Sequence, residues 1–250
     1  MKIITGMHRS GTSLVARLFY EIGADMGDPN SLYRPDKWNP DGYFEQPDFH
    51  SVNMPLINGP WWKFAYFKLP SNKTIMKRAS KHEERIRLLG AKYKESVVKE
   101  TRFCLTLPAW LKYGVNINKI MICLRDPIQV AMSIQKRNKT TIRHSLNLWH
   151  IHNVRLLEYA EGIPQWFVYY GNLLDDRCCI QEVDGALAFF GYRLSDDELE
   201  ILRSKFIKRS MNHNPEKIFD YPPEIDTLWN ELLNRHDAQF SNYLSRDEEN

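Results

Sequence analysis

The stretch Lys2-Ile3-Ile4-Thr5-Gly6-Met7-His8-Arg9-Ser10-Gly11-Thr12-Ser13-Leu14 decides the fold. A short apolar run enters a turn bracketed by glycines, and apolar residues then recur at helical spacing as Leu14, Val15, Leu18, Phe19 and Ile22. Strand, loop, helix is the arrangement that gathers backbone N–H groups and a helix N-terminus around an anion. Gly6-x-x-x-x-Gly11 has the spacing of a phosphate-binding P-loop. Thr12, however, stands where a nucleotide kinase or hydrolase carries the lysine that reaches the β- and γ-phosphates. The nearest cation is Arg9, whose guanidinium is a planar fork of donors with a charge that does not titrate away. It suits an oxyanion cluster such as a phosphosulfate. Thr12 and Ser13 add hydroxyl donors at the helix start. A glycine turn that only capped a helix would not need arginine, serine and threonine in series.

Downstream, strands and helices alternate. Ser96-Val97-Val98-Lys99 reads as a short buried strand, Lys119-Ile120-Met121-Ile122-Cys123-Leu124 as a second, and Trp166-Phe167-Val168-Tyr169-Tyr170 as a third after the opening one. Helices are expected from about Ile75 to Lys94, within Leu105 to Tyr113 with Pro108 near the first turn, from Asp126-Pro127 to about Lys136, over Ile142 to Glu161, over Cys178 to Phe190, and from a capped start at Ser195. One more short helix is expected from about Asp226 to Asn234. The pattern predicts an α/β fold: a P-loop-like parallel β-sheet with helices on both faces, three layers in all, and a single domain over residues 1–250. Residues 27–71, dense in Pro, Asn, Asp and aromatics, read as a long loop-rich segment.

In such sheets ligands sit at the carboxyl ends of the strands. Those ends carry the glycine loop, Lys99 to Arg102, Arg125, and Tyr170 to Asn172. Three of the four bear a cation, which suits a ligand with several negative groups. Charged hydrogen bonds of this kind contribute about 1.5–3 kcal/mol each. Pairing of Lys99, Arg102 and Arg125 with nearby Glu100 and Asp126 is the plainer alternative for any one of them.

The chain of 250 residues has 34 basic and 31 acidic side chains, dispersed rather than blocked. A net charge of +3 does not point to nucleic acid, though it is compatible with one local anion site. No apolar stretch approaches the roughly 20 residues needed to cross a bilayer, so no stable membrane insertion is expected. With the first strand expected to begin at Lys2, no signal peptide is expected. Cys104 and Cys123 lie in apolar runs, and Cys178-Cys179 adjoin at a helix start; no zinc spacing or disulfide framework is visible, and a cytoplasmic protein is the simplest expectation.

These residues carry a resemblance. The chain resembles sulfotransferases that use 3′-phosphoadenosine 5′-phosphosulfate. Gly6-Met7-His8-Arg9-Ser10-Gly11-Thr12-Ser13 is similar to that family's 5′-phosphosulfate loop, in the arginine-bearing version of bacterial and tyrosylprotein members. Leu124-Arg125-Asp126-Pro127-Ile128-Gln129-Val130-Ala131-Met132-Ser133 is similar to its 3′-phosphate segment, in which an arginine and a serine eight residues later hold that phosphate. The two motifs stand in the family's order, each after a strand. Tyr170 resembles the tyrosine beside the adenine, although Gly171-Asn172 follow where many members have acidic residues. The alignable pattern runs from Met1 to about Phe190.

The resemblance implies transfer of a sulfuryl group to an acceptor hydroxyl, or secondarily an amine, with 3′-phosphoadenosine 5′-phosphate as the other product and no metal required. In-line positioning and oxyanion stabilisation would do most of the work. It implies that Arg9 contacts the transferring group, that His8, Ser10, Gly11, Thr12 and Ser13 line the 5′-phosphate, and that Arg125, Ser133 and Tyr170 hold the nucleotide's other end. Lys99-Glu100-Thr101-Arg102 resembles a Lys-Asp-Pro-Arg element whose lysine points at the leaving group, with Glu and Thr at the middle positions here. Asn39-Pro40-Asp41-Gly42-Tyr43-Phe44-Glu45 resembles an Asn-Pro-x-Gly-Tyr/Phe-x-Glu element, which makes Glu45 the first candidate for the general base. Burial is expected to raise its pKa. His8 is the rival base; His50, Asp41 and Asp48 follow, while His144, His150 and His152 lie on a helical stretch.

The acceptor pocket is expected within Tyr33 to Phe67, where Trp38, Tyr43, Phe44, Phe49, Trp61, Trp62, Phe64 and Tyr66 crowd together. Such rings suit a sugar face or a phenol, on a carbohydrate or a small metabolite, and equally a small hydrophobic subcore under a loop. Two further functions stay open at this point. One is a P-loop kinase or hydrolase, disfavoured by Thr12. The other is a nucleotide-binding protein of the same fold without catalysis, disfavoured by Arg9, Lys99 and Glu45.

Overall fold

Alternate residues of a strand face opposite ways, and here both sets are apolar. In a computed structural model of the chain, which describes residues 1–58, 68–207 and 220–247, the strands are β1 (Lys2–Thr5), β2 (Val97–Lys99), β3 (Lys119–Leu124) and β4 (Gln165–Tyr169). All pair in parallel, in the order β2-β1-β3-β4, with Ile4 beside Lys99 and Met121, and Leu124 beside Tyr169. Ile3, Val98, Ile120, Ile122 and Phe167 join one core cluster, whereas Ile4, Val97, Met121, Cys123 and Val168 join another. The result is the expected three-layer α/β/α fold.

The helices are α1 (Thr12–Glu21), α2 (Pro47–Asn58), α3 (Asn72–Ala79), α4 (Glu83–Lys92), α5 (Phe103–Lys112), α6 (Pro127–Asn138), α7 (Ile142–Tyr159), α8 (Tyr170–Leu173), α9 (Cys179–Phe190), α10 (Asp196–Phe206) and α11 (Pro223–Asp247). Leu14, Leu18 and Phe19 of α1 pack with Val183 and Leu187 of α9 and Leu199 of α10 on one face. Phe49 of α2, Trp110 of α5, Val130 of α6, Trp149 of α7 and Trp229 of α11 pack on the other. No described helix is long and apolar enough to cross a membrane.

Several expectations need correction. Residues 27–71 are not one loop, because α2 lies inside them: Phe49, Val52 and Leu56 recur at helical spacing and are fully buried. The helix expected over Ile75 to Lys94 is two helices, broken at residues 80–82. Pro108 sits inside α5 rather than in its first turn. Tyr170 opens the short α8 instead of ending the fourth strand. The C-terminal helix spans Pro223–Asp247, well beyond the short segment expected. All four cysteines are free.

The edge strand β4 is closed by α11. Gln239 accepts from the Phe167 N–H at 2.8 Å and donates to its carbonyl at 2.6 Å, so one side chain occupies the unpaired edge as a fifth strand would. Nearby, His236 of α11 is buried against Glu182 of α9, with Nε2 2.9 Å from Oε2. Glu182 also accepts from the Tyr169 N–H at 2.8 Å and from Asn172 at 3.0 Å, which ties α11 to the carboxyl end of β4. Burial pushes the His236 imidazole down, but Glu182 outweighs it and the pKa is raised from the ordinary 6.5. A raised folded-state value means that this pair's stabilisation is complete below pH 6.5 and is lost as pH rises through the folded value. The thermal midpoint is therefore expected to fall with rising pH above 6.5 in the parent and to fall less in His236→Gln. Parallel pH profiles for the two proteins would remove this pair from the account.

Candidate active site

β1 and β3 are neighbours, yet the chain reaches β2 between them on the far side of β1. That reversal makes the crevice outside their carboxyl ends the switch point where α/β sheets bind ligands. The glycine loop leaves β1 there and Arg125 leaves β3. Gly6 lies against β3 so closely that a Cβ would be 2.6 Å from the Cys123 carbonyl oxygen. Gly11 caps α1 at φ +88°, and a Cβ there would be 2.4 Å from Cδ2 of Tyr170. The first N–H groups of α1 have no helical acceptor, and no side chain caps them.

Gly11→Ala is expected to destabilise the fold by about 1–2 kcal/mol from the left-handed backbone alone, with displacement of Tyr170 in addition. Denaturant unfolding of the variant measures this. Unchanged stability would mean that the loop and Tyr170 adjust freely.

Arg9 also has a positive φ, 75°, which non-glycine residues adopt rarely. Its Nε donates to the Ser133 hydroxyl of α6 at 2.8 Å and its Nη1 to the Trp38 carbonyl at 3.3 Å. Arg125 donates from Nη1 to the Arg9 carbonyl at 3.2 Å and from Nε to Gln129 at 3.0 Å, and its Cζ lies 4.4 Å from the centre of the Tyr170 ring. The two sequence motifs thus meet. Ser133 is held by Arg9, where the resemblance groups it with Arg125. Burial, then the neighbouring Arg137 and Arg125, lower the pKa of Arg9, and an anion placed among these guanidiniums would relieve their repulsion.

Lys99, at the end of β2, is buried with Glu45. Its ammonium donates to the Glu45 carboxylate and, at 3.4 Å, to the Ser13 hydroxyl. Asn39 donates to the same hydroxyl at 3.0 Å and so ties the segment before Glu45 to the start of α1. Arg102 bridges Glu45 at 3.4 Å and Glu100 at 2.7 Å. Burial pushes the Glu45 carboxyl up, but Lys99 and Arg102 outweigh it and hold the pKa below the ordinary carboxylate value. The expectation of a raised value is thereby corrected. Glu100 goes the other way: its complete burial raises it despite Arg102.

Of the rival bases, His8 and Asp41 line the same cavity as Glu45, whereas His50 and Asp48 are not among its described lining residues. Burial, followed by His152 and Arg102, pushes His8 well below 6.5, and burial with Arg102 lowers His50 to about 4. Asp41 pairs with Arg17 at 2.7 Å. Asp48 binds Lys92 and Tyr93 at 2.9 and 3.1 Å. His152 does reach the cavity, edge-on to His8 with ring centres 5.6 Å apart. Of the aromatic residues, Trp38 and Tyr43 line the cavity, Phe44 packs on Tyr20, and Phe49 belongs to the core. Trp61, Trp62, Phe64 and Tyr66 lie outside the described residues.

His8, Arg9, Ser13, Glu45, Lys99, Arg102, Arg125, Ser133 and Tyr170 border one cavity of about 980 Å³, the upper end of the range of about 300–1,000 Å³ usual for ligand sites. Its described lining holds eight Lys and Arg side chains against two carboxylates, Asp41 and Glu45. A chain with almost balanced charge has therefore concentrated positive charge at its strand ends. Sequence reading did not single out Lys37, Lys136 or Arg137 on this wall. One signal was available: Gln129, Ser133 and Arg137 recur every four residues and share a face of α6. Among the described residues no three His, Cys, Asp or Glu side chains gather as a metal-binding group. No family model matches the chain, and no curated protein matches it.

Proposed function

We propose that the chain transfers a sulfuryl group from 3′-phosphoadenosine 5′-phosphosulfate to an acceptor hydroxyl. The observation that carries this reading is the junction of the Arg9 loop with Arg125 at neighbouring strand ends, in a cavity with eight cations and two carboxylates. A loop without the P-loop lysine, joined to a second guanidinium stacked on a tyrosine, suits a nucleotide with anionic groups at two places. The donor, when bound, supplies a sulfur whose new bond to the acceptor oxygen forms as its bond to the phosphate oxygen breaks.

The chain's own residues then divide the work. Backbone N–H groups from Ser10 to Ser13 and the Thr12 and Ser13 hydroxyls hold the 5′-phosphate. Arg9 offers its fork to the transferring group, and Lys99 neutralises charge on the departing phosphate. Arg125 holds the 3′-phosphate, with Tyr170 beside the base. Glu45 takes the acceptor proton. Calorimetry with 3′-phosphoadenosine 5′-phosphate and with ATP plus magnesium tests the reading. Preference for the first is expected. Preference for ATP plus magnesium would favour a kinase or hydrolase, and binding without turnover on any hydroxyl acceptor would favour a non-catalytic protein.

A further inference from the structure

Cations flank both ends of Arg9. At its backbone end stands Arg125, bonded to the Arg9 carbonyl and stacked on Tyr170. At its guanidinium end stands Trp38, whose carbonyl accepts from Nη1. Around the Trp38 indole lie Lys37, with Nζ 5.4 Å from the ring centre, and Arg137, with Cζ at 6.0 Å. Lys136 adjoins Arg137 in the last turn of α6, one turn after Ser133. Every other cation of the cavity wall is engaged within it. Arg17 pairs with Asp41, Lys99 and Arg102 with Glu45, and Arg9 and Arg125 are bonded as described. Among the described residues Lys37, Lys136 and Arg137 have no carboxylate within ion-pair distance, although all three face the cavity.

Lys37 and Arg137 at the indole and Lys136 beside them concentrate positive charge on one stretch of the wall, with Asp36 the carboxylate in electrostatic reach of Arg137. An anion that enters is drawn to that stretch. In the function proposed above the donor lies along the loop and Arg125, with its transferring group at the Arg9 guanidinium, where Ser133 also bonds Nε. The ligand beyond the guanidinium tip is the acceptor. We infer that Lys37, Trp38, Lys136 and Arg137 form an acceptor subsite for an anionic saccharide, a pyranose bearing a carboxylate or sulfate. Such a ring presents an apolar C–H face to the indole and an acidic group to the flanking cations in the same plane. This assignment rests on the donor reading proposed above.

The test uses the whole chain saturated with 3′-phosphoadenosine 5′-phosphate, titrated calorimetrically with a glucuronate-terminated disaccharide and with its neutral glucose counterpart. The glucuronyl disaccharide is expected to bind more tightly, by about tenfold or more for one charged contact, and to lose that advantage at high salt. Lys37→Ala/Arg137→Ala is expected to abolish the discrimination while changing nucleotide affinity by less than about threefold. Lys136→Glu, an exposed change that leaves packing intact, is expected to reduce it in the same direction. Equal binding of the two disaccharides, or discrimination that survives in all variants, overturns the assignment. So does tighter binding of an acidic tyrosyl peptide than of the glucuronyl disaccharide. Loss of nucleotide affinity in the double variant would reassign these cations to the donor. Failure of the parent to bind the nucleotide at all overturns the donor reading and this one with it, whereas nucleotide binding without charge discrimination overturns this one alone.

Discussion

Arg125→Ala is expected to weaken binding of 3′-phosphoadenosine 5′-phosphate by about 100-fold more than binding of adenosine 5′-phosphate. The magnitude follows from two charge-assisted hydrogen bonds to one phosphate, at about 1.5 kcal/mol each at the low end, with about 1.4 kcal/mol for each factor of ten. The comparison with the second nucleotide matters because Arg125 has structural duties too. It donates to the Arg9 carbonyl and lies over Tyr170, so its removal also loosens the loop. Loosening alone would weaken both nucleotides equally, since both carry the 5′-phosphate. Loss of the 3′-phosphate contact weakens only the first. Calorimetry on parent and variant with both ligands forms a closed cycle. Equal loss for both would assign Arg125 to the scaffold and remove the 3′-phosphate site from this strand end.

Much of the sheet was legible because parallel strands covered on both faces are apolar throughout, as Lys119–Leu124 is. The loop after β1 was legible because glycines at fixed spacing have a backbone reason, seen at Gly6 against Cys123 and Gly11 against Tyr170. α2 was missed because Pro47, Pro55, Asn53 and Asn58 interrupt its pattern. Tertiary contacts compensate: Asn53 accepts from the Trp110 indole at 2.8 Å, deep in the core. The length of α11 was missed for a related reason. Its buried residues include His236, held by Glu182 from another helix, and Gln239 is spent on the β4 edge. Neither residue looks like a core position in sequence.

The site divides along the same line. Residues adjoining a strand end, such as Arg9, Lys99 and Arg125, were found from local pattern. Their electrostatic state was not, because it depends on partners far along the chain. Lys99 and Glu45 are 54 residues apart, and their meeting reverses the expected shift of the carboxylate. The cations around Trp38 come from the segment after a 3₁₀ turn at Pro29–Ser31 and from the end of α6, and neither carries a signal until the fold brings them together.

Glu45→Gln is expected to lower turnover by about 10²–10⁴-fold, the usual contribution of a positioned general base, with nucleotide affinity nearly intact. Glutamine is the informative substitution. Its carbonyl oxygen still accepts from Lys99, whereas alanine would leave the buried Lys99 ammonium facing a void beside the half-buried Arg102, at a cost of about 3–5 kcal/mol. The pH dependence sharpens the expectation. In the free protein Lys99 and Arg102 hold Glu45 below 4.5, so its stabilising charge is fully present above that value and is lost as pH falls through the depressed one. The acid limb of kcat/KM, which reports the free enzyme, therefore lies below pH 4.5. A base held that low is weak. An anionic nucleotide in the cavity competes for Lys99, which already reaches Ser13 of the phosphate loop, and weakens its hold on the carboxylate. The acid limb of kcat, which reports the loaded enzyme, is then expected at higher pH than that of kcat/KM, and both limbs are expected to vanish in Glu45→Gln. His50, pushed to about 4, gains charge in the same range, so His50→Gln is the control that separates its effect. Parent-like turnover in Glu45→Gln, or limbs that survive it, would place the base elsewhere and leave Glu45 as the counter-ion that keeps Lys99 folded into the site.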